Sequence, residues 1–108
     1  MSSLFVVGCS SDISTKRQLR AKKFKAGDKI RIARDPDNKY DKYAVEVTTL
    51  RTDKKKPRRI GFIPKSFAKL ITDVLKKKKK MSLIVKVSEV IVNKSGDTVL
   101  KIKVPSLL

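Results

Sequence analysis

The residues with the clearest chemical potential are Tyr40 and Asp41, an aromatic ring beside a carboxylate in a turn. The turn begins with Asp35-Pro36-Asp37-Asn38, where proline fixes one φ angle and Asp and Asn side chains can bond their own backbone. A ring can stack on a nucleobase, and a carboxylate can accept a hydrogen bond from a hydroxyl group. This pair therefore predicts a specific binding site within a strongly charged chain.

Catalysis has few candidate residues here. The sequence contains no histidine and one cysteine, Cys9, which removes His-based acid-base catalysis and the usual zinc sites. A metal-dependent nuclease needs converging carboxylates, and the only cluster along the sequence is Asp35, Asp37, Asp41 and Glu46. Asp35 and Asp37 flank a proline, where hydrogen bonding within the loop is the simpler role. We therefore expect no enzymatic activity, no metal and no cofactor.

The net charge indicates the class of partner. Lys and Arg number 28 against 10 Asp and Glu, which gives a formal net charge of +18 on 108 residues. Such a charge costs self-repulsion and favours a polyanionic partner. No apolar run approaches the roughly 20 residues that span a bilayer, the N-terminus has no signal-peptide pattern, and the unpaired Cys9 fits a reducing compartment. We expect a cytoplasmic protein of bacterial or viral origin, or a nuclear one in a eukaryotic host cell, with no membrane partner.

The positive charge is concentrated in three clusters. One is the lysine run Lys76 to Lys80, a second is Lys54-Lys55-Lys56 with Arg58-Arg59, and a third covers residues 16–23. A lysine run after a helix is most often a solvated patch. Clusters of this kind neutralise phosphates and give salt-dependent affinity without reading a base sequence.

The apolar pattern predicts a mainly β fold. Strand-like runs occupy residues 4–9, 29–33, 43–50, 59–63, 83–92 and 99–104. Apolar residues recur at helical spacing from Phe67 to Leu75, which predicts one helix beginning near Pro64, while residues 15–25 fit either a loop or a short helix. We therefore expect a single domain over residues 1–108, a small six-stranded antiparallel barrel with one helix covering an opening.

Two segments resemble the HIRAN domain, a module that is attached to DNA-remodelling helicases and nucleases and also occurs alone. Residues 34–47 resemble its signature Arg-Glu/Asp-Pro-x-Asn-x-Tyr-Asp-x-x-Ala-Val/Ile-x-Val, with Asp37 at the first variable position. Residues 60–64, Ile-Gly-Phe-Ile-Pro, resemble its later Ile/Val-Gly-x-Ile/Leu-Pro motif. The resemblance covers roughly residues 4–87 and implies a barrel related to OB-fold and SH3-like designs.

The resemblance also implies roles for single residues. In HIRAN domains the Tyr-Asp pair helps to hold the 3′-terminal nucleotide of single-stranded DNA, with the aspartate accepting a hydrogen bond from the terminal hydroxyl. By position this pair falls on Tyr40 and Asp41. The basic residue that follows the glycine motif falls on Lys65, where it would meet a phosphate.

Two positions depart from the family pattern. The Arg-Tyr pair of the family's first strand falls on Leu4 and Phe5, which keeps a ring for base stacking and loses the arginine. Phe62 stands where a relative has histidine. The full predicted nucleic-acid-binding set is Tyr40, Asp41, Lys65, Phe5, Phe62, Arg34, Lys42, Arg58, Arg59, Lys76, Lys77 and Lys78.

The function that the resemblance implies is DNA binding without catalysis. We expect a monomeric module that favours single-stranded DNA with a free 3′-hydroxyl end and that supports DNA repair or replication-fork processing beside a partner helicase or nuclease. Two alternatives stay open. One is a sequence-tolerant RNA or general nucleic-acid binder that acts by charge, and the other is a protein-interaction module that docks on an acidic partner.

Overall fold

The computed structural model describes residues 2–7, 15–92, 94 and 96–104, and Cys9 lies outside them. Each predicted strand run overlaps an observed strand, although the first run, residues 4–9, shares only residues 4 and 5 with the strand Ser2–Phe5. The predicted helix is the second of two helices. Residues 15–25, which fit either a loop or a helix, contain the first helix. In chain order the elements are β1 (Ser2–Phe5), α1 (Thr15–Ala21), β2 (Lys29–Arg34), β3 (Val45–Thr48), β4 (Arg59–Phe62), α2 (Lys65–Lys77), β5 (Ser82–Val92) and β6 (Thr98–Val104).

The six strands form one antiparallel sheet in the order β1-β6-β5-β2-β3-β4, which curls into a half-barrel. Among the described residues, the two edges touch at one bridge, where the N–H of Val7 donates to Phe62 O at 2.9 Å and the N–H of Phe62 donates to Val7 O at 2.7 Å. The prediction of a mainly β fold with six antiparallel strands is confirmed, but the sheet forms a half-barrel in place of the predicted barrel, and an OB or SH3-like type is not confirmed. The edge strands β1 and β4 have four residues each, and the described residues form no continuous ladder between them.

The core fills the concave side of the half-barrel. Ile30 and Ile32 of β2 and Leu100 and Ile102 of β6 are fully buried, because alternate residues of each strand face inward. Burial of each such side chain contributes about 1.5–3 kcal/mol before conformational entropy is counted. Helix α2 adds Ala68, Ile71 and Leu75 to this core and leaves its lysines in solvent.

Helix α2 ends with a residue in the left-handed conformation. The N–H of Lys80 donates to Leu75 O at 2.9 Å and the N–H of Lys79 donates to Lys76 O at 3.0 Å, which is the Schellman pattern. Lys79 has a φ of 55°, a conformation that glycine adopts more easily. Within the described part of the chain, no helix is long and apolar enough to cross a membrane.

Candidate nucleic-acid interface

The two edges of the sheet meet at Gly61 and Phe62. A Cβ atom on Gly61 would lie 2.8 Å from Val6 Cγ1 and closer still to the carbonyl oxygen of Val7. Only glycine therefore lets the chain after β1 approach β4 closely enough to form the bridge between Val7 and Phe62. The Ile-Gly-Phe-Ile-Pro motif thus fixes the position of the Phe62 ring.

The turn before β3 is held by its own polar side chains. Asn38 Oδ1 accepts the backbone N–H of Tyr40 at 2.9 Å and that of Asp41 at 3.1 Å. Asn38 Nδ2 donates to Asp35 Oδ2 at 3.1 Å, and Arg59 Nη2 donates to the same oxygen at 3.2 Å. The Asp and Asn of the motif therefore build the turn, as side chains of these types commonly do. The Tyr40 ring is left 93% exposed.

The Asp41 carboxylate has one engaged oxygen. Its Oδ1 accepts the backbone N–H of Tyr43 at 2.9 Å, which closes the turn before β3. Its Oδ2 has no hydrogen-bond or ion-pair partner within the residues that the structure describes. Asp41 is half-buried, so this oxygen keeps capacity to accept a hydrogen bond from a ligand.

Five of the predicted residues line one groove of about 400 Å³, here called the seam groove. This volume lies in the range of about 300–1,000 Å³ that is usual for small-ligand sites. One wall is apolar, and the other side carries cations and a single carboxylate. The lining residues are Val7, Arg17, Asn38, Tyr40, Asp41, Ala44, Arg59, Phe62, Ile63, Lys65 and Ala68.

Two guanidinium groups lie near the Phe62 ring. Arg59 Cζ is 4.7 Å and Arg17 Cζ is 5.7 Å from the centre of the half-buried ring. Arg59 also forms ion pairs with Glu46 Oε2 at 2.9 Å and with Asp35 Oδ2 at 3.2 Å. Its charge is therefore compensated within the protein, although Arg59 was predicted to be one of the basic residues that contact a nucleic acid.

Lys65 occupies the first turn of α2, at the same groove. Helix N-termini carry partial positive charge and unpaired N–H groups, both of which favour anions. Lys65 adds a full positive charge there, and its side chain is exposed. This corner of the seam groove is suited to a phosphate group.

Sequence analysis did not assign Arg17 or Val7 to the site. Arg17 belongs to the third basic cluster, but nothing local shows that α1 brings it to Phe62. Val7 reaches the groove through the bridge to Phe62. Asn38 was part of the recognised motif, and its hydrogen bonds to the backbone of the turn were expected, but its place in the lining of the groove was not.

The other predicted residues lie outside the seam groove. Phe5 is 48% exposed at the end of β1. Lys101 Nζ lies 5.3 Å from the centre of the Phe5 ring. Arg34 is half-buried, its Nη1 contacts Met81 Sδ at 3.5 Å, and its buried Nε has no partner among the described residues. Arg58 lines a second groove.

The predicted lysines gather around Tyr43 and the end of α2. The ammonium groups of Lys42, Lys69 and Lys76 lie 5.1, 5.6 and 5.9 Å from the centre of the Tyr43 ring. Lys77 and Lys78 are exposed at the end of the helix. These side chains form a cationic surface that is separate from the seam groove. In the described ranges, no three His, Cys, Asp or Glu side chains are placed to hold a metal ion.

Comparison with known proteins gives a family and a fold. The model of the HIRAN domain matches residues 1–106. A crystal structure of a protein from Lactobacillus plantarum, solved by a structural genomics consortium, is similar in fold with a TM-score of 0.69 and 18% sequence identity. The similarity covers 94% of this chain and 87% of that chain. No curated protein matches. Because the family model covers almost the whole sequence, the chain belongs to the HIRAN domain family, a family of nucleic-acid-binding modules.

Proposed function

We propose that this protein binds the 3′-hydroxyl end of single-stranded DNA in the seam groove, without catalysing a reaction on it. One observation carries the proposal. Asp41 lines the groove with one carboxylate oxygen engaged by Tyr43 and the other unpartnered among the described residues. A carboxylate in a site for a polyanion opposes binding unless it selects for a particular group, and a terminal hydroxyl is such a group.

The remaining groups of the groove support a nucleotide in that place. The exposed Tyr40 ring and the half-buried Phe62 ring supply faces for a base, and each stacked base is worth about 1–3 kcal/mol. Lys65 and the first turn of α2 suit the phosphate of the same nucleotide. The terminal hydroxyl then meets the free oxygen of Asp41.

This geometry discriminates between two kinds of strand end. A 3′-hydroxyl donates a hydrogen bond to the carboxylate, and a hydrogen bond to a charged group contributes about 1.5–3 kcal/mol. A 3′-phosphate brings negative charge to the same oxygen and is repelled. A module with this preference would direct a partner helicase or nuclease to free DNA ends, which is the biological role that we propose.

Competition binding tests the proposal directly. A labelled strand is displaced by unlabelled competitors of equal length: DNA with a 3′-hydroxyl, DNA with a 3′-phosphate, RNA, and blunt duplex. We expect the 3′-hydroxyl strand to compete roughly tenfold or more better than the 3′-phosphate strand. Equal competition by all four would favour general binding by charge, and negligible binding at physiological salt would favour an acidic protein partner.

A matched pair of variants tests the assignment of Lys65. Lys65→Gln removes a charge from the groove, and Lys69→Gln removes the same charge one helical turn later, outside the groove. We expect only Lys65→Gln to weaken the binding of a short 3′-hydroxyl strand, because only Lys65 meets its phosphate. Equal losses in the two variants would contradict this assignment.

A further inference from the structure

A second groove, of about 760 Å³, lies between the residues that follow α1 and the segment 49–58, here called the flap, which joins β3 to β4. We call it the flap groove. Six basic side chains and one carboxylate line it: Arg20, Lys23, Lys29, Lys55, Lys56 and Arg58, with Asp28. No part of the proposed end-binding site uses these residues.

The positive charge of the flap groove is not compensated within the described chain. The ion pairs among the described residues join Arg31 to Glu46 and Arg59 to Glu46 and Asp35, and none involves a basic residue of this groove. The one acidic residue, Asp28, uses Oδ2 to accept the backbone N–H of Lys25 at 2.8 Å. The flap groove is therefore free to pair its charge with an anion from outside the chain.

A row of lysines continues from this groove across the outer face of the sheet. Lys29 lies opposite Lys86 in the pairing of β2 with β5, and Lys86 lies opposite Lys103 in the pairing of β5 with β6. All three side chains are exposed. Opposed residues have Cβ atoms about 4.5–5.5 Å apart, and like charges in that position destabilise a sheet. A bound anionic chain would remove this repulsion.

The flap groove offers charge without an exposed ring. Phe24 is its only aromatic residue, and Phe24 is partly buried against the core. Bases therefore have no stacking platform there, and the available contacts suit phosphate oxygens. This composition contrasts with the seam groove, which has two accessible rings and a carboxylate.

Helix α1 separates the two grooves and contributes to both. Arg17 lines the seam groove and Arg20 lines the flap groove, one helical turn later and about 4.5 Å along the axis. Arg20 Nη1 also donates to the carbonyl oxygen of Arg59 at 2.7 Å, which fixes α1 against β4. Residues three apart are neighbours on a helix surface, so a strand that ends in the seam groove can continue past α1 into the flap groove.

We propose that the flap groove binds the phosphodiester backbone of the strand whose end lies in the seam groove, and that it does so without base preference. The inference rests on the proposed function for the direction of the strand, but the groove's affinity for phosphodiesters does not depend on end recognition. The ligand class is a single-stranded nucleic acid several nucleotides longer than the part held by the seam groove.

The test uses a triple variant of the flap, Lys55→Gln, Lys56→Gln and Arg58→Gln. All three side chains are exposed, and the flap's hydrogen bonds use the backbone N–H groups of Lys55 and Arg58, which glutamine keeps. Affinity is measured for an oligothymidine trinucleotide and a dodecanucleotide, both with 3′-hydroxyl ends, over a range of salt concentrations.

We expect the triple variant to bind the trinucleotide like the parent and to lose affinity for the dodecanucleotide. Loss of three phosphate contacts should reduce the steepness of the plot of log affinity against log salt concentration by about 2. Over a fourfold range of salt concentration this is roughly a 20-fold change in affinity. The matched control replaces Arg51, Lys54 and Lys94 by Gln, an equal loss of charge at positions that line neither groove. The control should keep most of the salt slope. It should also keep the gain in affinity from the trinucleotide to the dodecanucleotide, here called the length-dependent gain.

Two results with the variants would overturn the proposal: a triple variant that keeps the length-dependent gain, or a control that loses it equally. A third would come from competition, if polyglutamate displaced the dodecanucleotide as effectively as unlabelled strand does. Failure of the proposed function has a different signature. If 3′-hydroxyl and 3′-phosphate strands bind equally while the triple variant still loses the length-dependent gain, end recognition fails and the flap groove is supported.

Discussion

Substitution of Asp41 by asparagine separates the two roles that its carboxylate can have. Asparagine keeps Oδ1, so it still accepts the N–H of Tyr43 that Asp41 accepts at 2.9 Å. It replaces Oδ2 by an NH₂ group, which donates hydrogen bonds and cannot accept one from a hydroxyl. The turn therefore survives, while the proposed contact with the strand end is lost.

The expected magnitude follows from the one lost contact. A hydrogen bond to a carboxylate contributes about 1.5–3 kcal/mol, so affinity for a short 3′-hydroxyl strand should fall roughly 10- to 150-fold. Affinity for the 3′-phosphate strand should rise, because a repelling charge becomes a donor. The free energy of unfolding should change by less than about 0.5 kcal/mol, whereas Asp41→Ala loses the bond to Tyr43 and should cost about 1 kcal/mol.

The assay is fluorescence anisotropy with two short strands that differ only at the 3′ end, together with urea denaturation of the parent, Asp41→Asn and Asp41→Ala. Both variants should lose the end preference, and only Asp41→Ala should be less stable. An Asp41→Asn protein that keeps the full preference would show that Asp41 serves the turn alone. A parent protein without any end preference would refute the site assignment itself.

Three further outcomes follow from the charge and the backbone. Binding should weaken steeply with salt, by a log-log slope of about −0.7 per phosphate contact. Replacement of Lys76 to Lys80 by glutamine should flatten this slope and leave the end preference unchanged. Constant affinity between low and moderate salt would contradict this expectation. Gly61→Ala should lower the free energy of unfolding by about 1–3 kcal/mol, because the new methyl group meets Val6 and Val7; an unchanged urea midpoint would argue against the close approach. Lys79→Gly should stabilise the protein by about 1 kcal/mol in thermal melts because φ is 55° there, whereas the control Lys79→Gln, which removes only the charge, should not.

The strands were predictable because their signal is local. Alternation of apolar and polar residues in β2 and β6 places Ile30, Ile32, Leu100 and Ile102 in the core, as periodicity predicts. Closure was not predictable, because it depends on how far β1 and β4 extend beyond their ladders. Those strands have four residues each, and one bridge joins the two edges within the described part of the chain.

Helix α1 could not be predicted from the sequence for a different reason. Its buried side includes Gln18, whose amide donates to Thr98 O at 2.8 Å and accepts the N–H of Thr98 at 2.7 Å. These bonds join residues 80 positions apart, so a local pattern of apolar residues does not predict this helix. The polar contact takes the place of the apolar stripe on which helix prediction depends.

The candidate site was predictable where the motif is continuous. Tyr40 and Asp41 are neighbours in sequence, and Asn38 holds both within the same turn. Arg17 was not predictable as a neighbour of Phe62, because that contact depends on the docking of α1. The ion pair of Arg59 with Glu46 likewise depends on the pairing of β3 with β4, and a count of basic residues cannot anticipate it.

In the proposed binding mode, the two grooves divide affinity and selectivity between them. A chain with a net charge of +18 attracts any polyanion, so more positive charge adds affinity for every strand and distinguishes none. Selectivity needs a group that some strands satisfy and others do not. In the proposed site Asp41 has that property, because a carboxylate repels phosphates in general and accepts a hydrogen bond from a hydroxyl end. The flap groove, as proposed, would offset this repulsion with contacts that every phosphodiester can make, so the two sites would act together on one strand.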